Sequence, residues 1–110
     1  MTINEYQRET LRTAGTSNQL DLLLNGVMGL NGEAGECIDI VKKHIFQDHE
    51  LDKKHLAKEL GDVAWYLAVT AYAIGYPLED VLTLNIDKLR QRYPDGFDVG
   101  RSRHREKEDV

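Results

Sequence analysis

Apolar residues recur at alternating steps of three and four in two long stretches of the chain, the spacing that lines one face of an α-helix. The first stripe is Leu23, Val27, Leu30, Ala34, Cys37 and Val41. The second is Leu56, Leu60, Val63, Leu67, Thr70 and Ile74. Each stripe predicts a helix that packs through this face. No stretch alternates with the period of two that is typical of a half-buried strand.

The pattern also predicts a third helix and a short first one. The third runs from about Leu78 to Arg92, and the short one covers Ile3 to Thr13. The inward positions of the third helix are predicted to be Val81, Leu82, Ile86 and Leu89. The predicted fold class is therefore all-α: a helical bundle of three longer helices plus a short N-terminal helix, completed by homo-oligomerisation.

Cap and turn residues agree with these helices. Ser17 and Asn18 are candidate N-caps of the first long helix, and Asp52 is a plausible cap of the second. Gly75 can end the second long helix, and Pro77 can open the helix that follows it.

The last part of the chain has a different character. The segment "DVGRSRHREKEDV" is highly charged and lacks a core stripe. We expect a single domain over residues 1–97, followed by a mobile segment, which we call the charged tail (residues 98–110).

Composition narrows the class of protein. The chain has 110 residues, a net charge of −5 and a pI of about 5.3, which argues against a broad nucleic-acid-binding face. A single cysteine, Cys37, allows no intrachain disulfide and no cysteine metal cluster. The N-terminus has no signal-peptide pattern, and the longest apolar run, "VAWYLAVTAYAIGY", is too short for a relaxed membrane span. These features suggest a soluble cytoplasmic protein with no nucleic-acid or membrane partner.

The candidate chemistry lies in two pairs of carboxylates. Glu33 and Glu36 are three residues apart beside the first stripe, and Glu59 and Asp62 have the same spacing beside the second. If the two helices pack antiparallel, the four carboxylates converge along one seam. Four such groups at close range repel, and a hard divalent cation such as Mg²⁺ or Mn²⁺ relieves that repulsion.

Neither an acidic pair nor the nearby glycines would identify a metal site by themselves. A single E-x-x-E pair is more often part of a solvated acidic face than of a metal site. The glycines at 26, 29, 32 and 35 remove bulk where helices, a metal and a ligand approach closely, although close helix packing also explains some of them. Two pairs at the same offset from their stripes favour the metal site.

The segments "GLNGEAGECIDIVKK", "KELGDVAWYLA" and "NIDKLRQRYPDGF" together resemble the MazG-like all-α nucleoside triphosphate pyrophosphohydrolases. The resemblance covers about Leu20 to Phe97, with E-x-x-E followed by E-x-x-D. It implies Mg²⁺-dependent cleavage of a nucleoside triphosphate between the α and β phosphates, and a homodimer or dimer of dimers. Many members have a further glutamate where this chain has Gly32, which leaves open which carboxylate activates water.

The resemblance also implies a phosphate grip on the third helix. Asn85, Lys88 and Arg92 share one face there, and the family places a Lys and an Arg four residues apart against phosphate. Lys43 and Tyr66 are further substrate-binding candidates, although a helix-end lysine and a packed aromatic are the ordinary explanations. The four histidines show no consistent metal spacing.

Several functions fit these motifs. The leading one is hydrolysis of an NTP or dNTP to monophosphate and pyrophosphate. A narrower pyrimidine dNTPase acting on dUTP or dCTP is an alternative, and hydrolysis of phosphoribosyl-ATP matches the motifs less well. A helical module that binds metal and nucleotide without turnover is an alternative from a different class.

Overall fold

The computed structural model describes residues 1–110 and contains five α-helices. They are α1 (Ile3–Leu11), α2 (Gln19–Phe46), α3 (Lys53–Ala73), α4 (Leu78–Arg92) and α5 (Val99–Arg103). An isolated bridge between Pro94 and Gly96 is the only β pairing, so the predicted all-α class is confirmed. None of the helices has the length and apolar character needed to cross a membrane.

The residues that begin and end the long helices act as the sequence predicts. The Asn18 side chain accepts a hydrogen bond from the backbone N–H of Asp21 at the start of α2, and Asp52 caps α3 in the same way. Gly75 has φ of 82°, a left-handed conformation that favours glycine at the end of a helix. Pro77 directly precedes α4.

The chain divides into two compact units, Met1–Leu78 and Glu79–Val110. The first contains α1, α2 and α3, and the second contains nearly all of α4 together with α5. The sequence-based division at residues 97 and 98 stays a prediction.

The first unit is built on a close approach of α2 to α3. A Cβ atom placed on Gly26 would clash with the Thr70 side chain and lie 3.3 Å from the Thr70 Cα, and one placed on Gly29 would overlap the Tyr66 ring. Since the contacts move forward along α2 as they move backward along α3, the two helices are antiparallel. Glycine at position 26 lets the two backbones approach closely, and glycine at position 29 leaves room for the Tyr66 ring.

α1 is held on α3 by one buried amide. The Gln7 Nε2 donates to the backbone carbonyls of Ala68 and Tyr76, both at 3.1 Å. Its Oε1 accepts from the backbone N–H of Leu78 at 2.9 Å. Because a buried amide is tolerated only when its polar atoms are paired, this network sets the position of α1 against the end of α3.

The predicted stripe of α2 is displaced from the face that packs on α3. The buried positions of α2 are Leu22, Gly26 and Ile40, whereas Val27 is 51% exposed and Val41 36% exposed. Leu23 packs on the core, but the stripe as a whole does not face inward in the single chain. The reason is that glycines allow closer packing than larger apolar residues, so the seam follows them and leaves the stripe along its side.

The second unit departs from expectation in a similar way. Leu82, Ile86 and Leu89 of α4 are 36% to 45% exposed, so their predicted inward orientation is not seen in this chain. The charged tail contains α5, and its residue Asp109 forms an ion pair with Arg92 of α4. The expectation that the tail is mobile stays a prediction.

The close approach at Gly26 makes a stability prediction. Gly26→Ala should lower the free energy of unfolding by about 1–3 kcal/mol, because the added methyl meets the α3 backbone. Gly32→Ala is the matched control, since Gly32 lies in the same helix but faces open space, and should raise stability by about 0.5–1 kcal/mol. Urea unfolding of the three proteins measures both effects. Equal stabilisation by both alanines would show that the helices do not approach closely at Gly26.

Candidate metal centre

Beyond the two glycines, the α2–α3 seam brings acidic residues together. Glu33 lies one turn after Gly29 on α2, and α3 runs in the opposite direction from Tyr66 back to Asp62 and Glu59. The antiparallel pairing that places Gly29 against Tyr66 therefore carries Glu33 to the two acids of α3. The convergence predicted from the sequence arises from the same packing that displaces the apolar stripe.

Three of the four predicted carboxylates form a cluster. One carboxylate oxygen each from Glu33, Glu59 and Asp62 lies within 4.8 Å of the others. Glu36 is exposed and lies outside this group. It is one turn after Glu33 on α2, close enough for its charge to act on Glu33.

The cluster is electrostatically strained. A hydrogen bond with Glu59 raises the pKa of Glu33, and partial burial together with the charges of Glu59, Asp62 and Glu36 raises it further. Without a metal, Glu33 therefore keeps its proton to a higher pH than an isolated glutamate does. A bound cation would replace this proton.

Glu59 shows most directly that a cation fits here. Its Oε2 atom is buried and faces no hydrogen-bond donor. Its Oε1 lies 3.3 Å from the Nε2 of His55, one turn earlier on α3. A buried carboxylate oxygen without a donor is unfavourable, and oxygen ligands from several carboxylates are what Mg²⁺ or Mn²⁺ prefers. The donor set therefore suits a hard divalent cation.

Two residues near the cluster were not among the sequence-based candidates. His55 is four residues before Glu59, so helical spacing alone could have identified it. Tyr6 comes from α1: its hydroxyl lies 3.4 Å from the backbone carbonyl of Gly61, and burial and the charge of Asp62 raise its pKa. No local pattern could have found Tyr6, because its position depends on how α1 docks on α3.

The other predicted binding residues lie in varied settings. Tyr66 is half-buried with its ring against Gly29, and Lys43 is exposed near the end of α2. Trp65, the neighbour of Tyr66 in the chain, donates from Nε1 to the Thr13 hydroxyl at 3.0 Å and packs on the core. A packing role accounts for Trp65.

The α4 candidates lie within the second unit. Asn85, Lys88 and Arg92 all line a cavity of about 780 Å³ formed by α4 and the charged tail. Arg92 is not a solvated residue at the helix end, because its side chain is 10% exposed and is paired with Asp109; its role in binding phosphate stays a prediction. Sequence reasoning missed this because the partner is 17 residues away in a segment without periodicity.

Comparison with known proteins fits this arrangement of acids. Residues 24–97 match the family model of the MazG nucleotide pyrophosphohydrolase domain. The chain belongs to this family. It is 37% identical over 92 residues to the gene 37 protein of Mycobacterium phage L5. The aligned region covers 79% of this chain and 80% of the phage protein. No solved structure matches the chain. The MazG match includes all four predicted acids and the α4 candidates, and it ends before the charged tail.

The raised pKa of Glu33 gives a pH prediction for the metal-free MazG domain. Because folding favours protonated Glu33, that contribution to stability is present at low pH and is lost as pH rises through the raised pKa. Glu33→Gln stays neutral, so the melting temperature of the parent should fall relative to this variant as pH rises from about 4 to 8. Excess Mg²⁺ should offset the fall in the parent alone.

Asp39→Asn is the control, since Asp39 is an exposed acid of the same helix outside the cluster. Thermal melts of the three proteins across this pH range, with and without Mg²⁺, provide the measurement. Parallel pH profiles for the parent and Glu33→Gln would show that Glu33 is an ordinary surface acid.

Proposed function

We propose that this MazG-family chain is a Mg²⁺-dependent nucleoside triphosphate pyrophosphohydrolase, with Mn²⁺ as a possible substitute ion. It would cleave an NTP or dNTP between the α and β phosphates, giving a monophosphate and pyrophosphate. The observation that carries the proposal is the cluster of Glu33, Glu59 and Asp62, in which a buried Glu59 oxygen lacks a donor. Family membership supports pyrophosphohydrolysis as the reaction class.

The acidic residues divide into two sets by environment. Glu33, Glu59 and Asp62 would hold the ion, which when bound supplies charge stabilisation at phosphate and a more acidic water. Glu36 is exposed one turn away and would complete the quartet from the solvent side. One of these carboxylates must accept the proton of the attacking water as the bond between the α phosphorus and the bridging oxygen breaks.

The phosphate-binding residues are proposed from their spacing and from the family. Lys88 and Arg92 lie one turn apart on α4, and Asn85 is three residues before Lys88. Arginine supplies a planar fork and lysine a point charge, and both suit phosphate oxygens. Lys43 and Tyr66 are proposed as further substrate contacts, from the end of α2 and from the residue one turn after Asp62.

We also propose that two copies of the chain associate. Five exposed apolar residues share one side of α2 at helical spacing, and they are Leu20, Val27, Ile38, Val41 and Ile45. This is the side to which the predicted stripe belongs, and a second copy offers a matching apolar surface. A cytoplasmic location stays a prediction from composition.

The proposed activity makes a test of the metal cluster. Glu59→Gln keeps the side-chain size but removes charge, so pyrophosphate release should fall by about a hundredfold or more and Mg²⁺ binding should weaken. Glu36→Gln should also lower activity if Glu36 completes the quartet, whereas Asp39→Asn should leave it near the parent level. Pyrophosphate release from a panel of NTPs and dNTPs measures these changes, with circular dichroism to verify folding.

The same panel separates the alternatives. Release confined to dUTP or dCTP would identify a pyrimidine dNTPase. If Mg²⁺ binds but no nucleotide is cleaved by the parent, the chain is a binding module and the proposed activity is wrong.

The apolar side of α2 makes a prediction about assembly. Val27→Glu places a charge on this side, and burying it in an interface should weaken dimerisation by at least about a hundredfold. Light scattering at micromolar concentration should give a dimer or larger mass for the parent and for Asp39→Asn, and a smaller mass for Val27→Glu. A monomer mass for the parent would rule out the proposed association.

A further inference from the structure

The charged tail returns to α4 through one well-formed ion pair. Arg92 donates from Nε to Oδ2 of Asp109 at 2.7 Å and from Nη2 to Oδ1 at 2.6 Å. The two side chains are only 10% and 13% exposed. The backbone N–H of Asp109 also donates to the carbonyl of Glu106 at 3.0 Å, so a turn presents the carboxylate. This geometry is the two-bond contact that an arginine fork makes with a carboxylate.

A phosphate group uses the same donors of an arginine fork as a carboxylate does. The hydrogen bond from Arg92, together with the charges of Arg92, Arg105 and Lys88, lowers the pKa of Asp109, so the group is ionised at neutral pH. An ionised Asp109 therefore presents two anionic oxygens to the Arg92 fork, as a phosphate group would. The Nε and Nη2 donors cannot serve Asp109 and a nucleotide phosphate together.

The cavity around this pair is balanced in charge only because residues 106–110 supply three of its acids. Its lining includes four basic residues besides His104, namely Lys88, Arg92, Arg101 and Arg105. It also includes four acidic residues, namely Asp87, Glu106, Glu108 and Asp109. Three of the four acids belong to the last five residues of the described chain. If residues 106–110 moved away, one acid would remain with four basic residues, and the cavity would attract polyanions.

We propose that residues 106–110 act as an internal competitor for the phosphate site on α4, with Asp109 occupying the Arg92 fork until a triphosphate displaces it. This rests on the proposed role of Arg92 in holding phosphate. The tail would set how much triphosphate is needed for half-maximal rate. The family match ends at residue 97, so this competitor belongs to the part of the chain outside the MazG domain match.

The gain in triphosphate affinity on removing the competitor depends on the fraction of molecules in which Asp109 occupies the Arg92 fork. Apparent affinity falls in proportion to the fraction of molecules with a free site, so a tail bound nine-tenths of the time raises the apparent Kd about tenfold. A single ion pair with little exposure gives occupancies around this value or below it, because the cost of desolvating both charges offsets most of their attraction. Removing the competitor should therefore tighten triphosphate binding by about three- to tenfold.

The experiment compares three full-length proteins: the parent, Asp109→Asn and Glu108→Gln. Both substitutions remove one negative charge from the same stretch of the tail, but only Asp109 contacts the Arg92 fork. Calorimetry with inorganic tripolyphosphate should show binding about three- to tenfold tighter for Asp109→Asn than for Glu108→Gln. When the substrate is a nucleotide that the protein hydrolyses, KM should be lower by a similar factor in Asp109→Asn, while kcat changes little.

A second measurement needs no variant. Backbone ¹⁵N relaxation of residues 108–110 in the parent should show faster motion when tripolyphosphate is added, because Asp109 leaves the fork. Equal tripolyphosphate affinity in both variants, no binding to any of the three proteins, or unchanged tail motion at saturation would overturn the proposal and leave the ion pair as a structural tie. Because tripolyphosphate binding does not require hydrolysis, this result stands apart from whether the chain cleaves nucleotides.

Discussion

The close approach of α2 and α3 at Gly26 and Gly29 is the contact on which the first unit depends. With no side chain at these positions, α2 lies directly against Thr70 and Tyr66 of α3. Glycine in a helix interior lowers helix stability by about 0.5–1 kcal/mol relative to alanine, so the packing must offset that loss twice. The packing at the two glycines sets the register of α2 and α3. This register brings Glu33 close to Glu59 and Asp62.

The acidic cluster places an opposing demand on the same pair of helices. Packing draws the helices together, while three carboxylates with oxygens within 4.8 Å repel one another. The raised pKa of Glu33 is the response of the metal-free chain, since the carboxyl keeps its proton to a higher pH and so reduces the repulsion over that range. A cation would satisfy the same oxygens without that proton and would also satisfy the buried Oε2 of Glu59. Binding of a metal would therefore be coupled to folding in this unit.

The second constraint on the structure is the number of apolar side chains that the single chain leaves exposed. The buried apolar residues are few, and the largest fully buried side chains are Leu22 and Val69. One side of α2 and the stripe of α4 remain open in the single chain. A chain of this length with this much exposed apolar surface would gain stability from association, which is the physical argument for the proposed second copy. The Arg92–Asp109 pair, by contrast, is a polar contact within the second unit and depends on charge rather than on apolar burial.

The sequence alone determined helices α1 to α4 and the acids from which the cluster is drawn. Local rules suffice for these features: caps at Asn18 and Asp52, a left-handed Gly75, and acids spaced three apart beside apolar stripes. Those rules depend on residues within one or two turns of each other, so they can be read directly along the chain.

Tertiary structure decided which helix faces meet and which acids converge. Helical periodicity gives the angle between side chains on one helix, but not which face a neighbour covers, and here glycines rather than the apolar stripe chose the seam. The same limit explains why Glu36 lies outside the cluster and Tyr6 lies beside it. The pairing of Arg92 with Asp109 likewise joins residues too far apart for any local pattern, because it depends on the path of the chain between them.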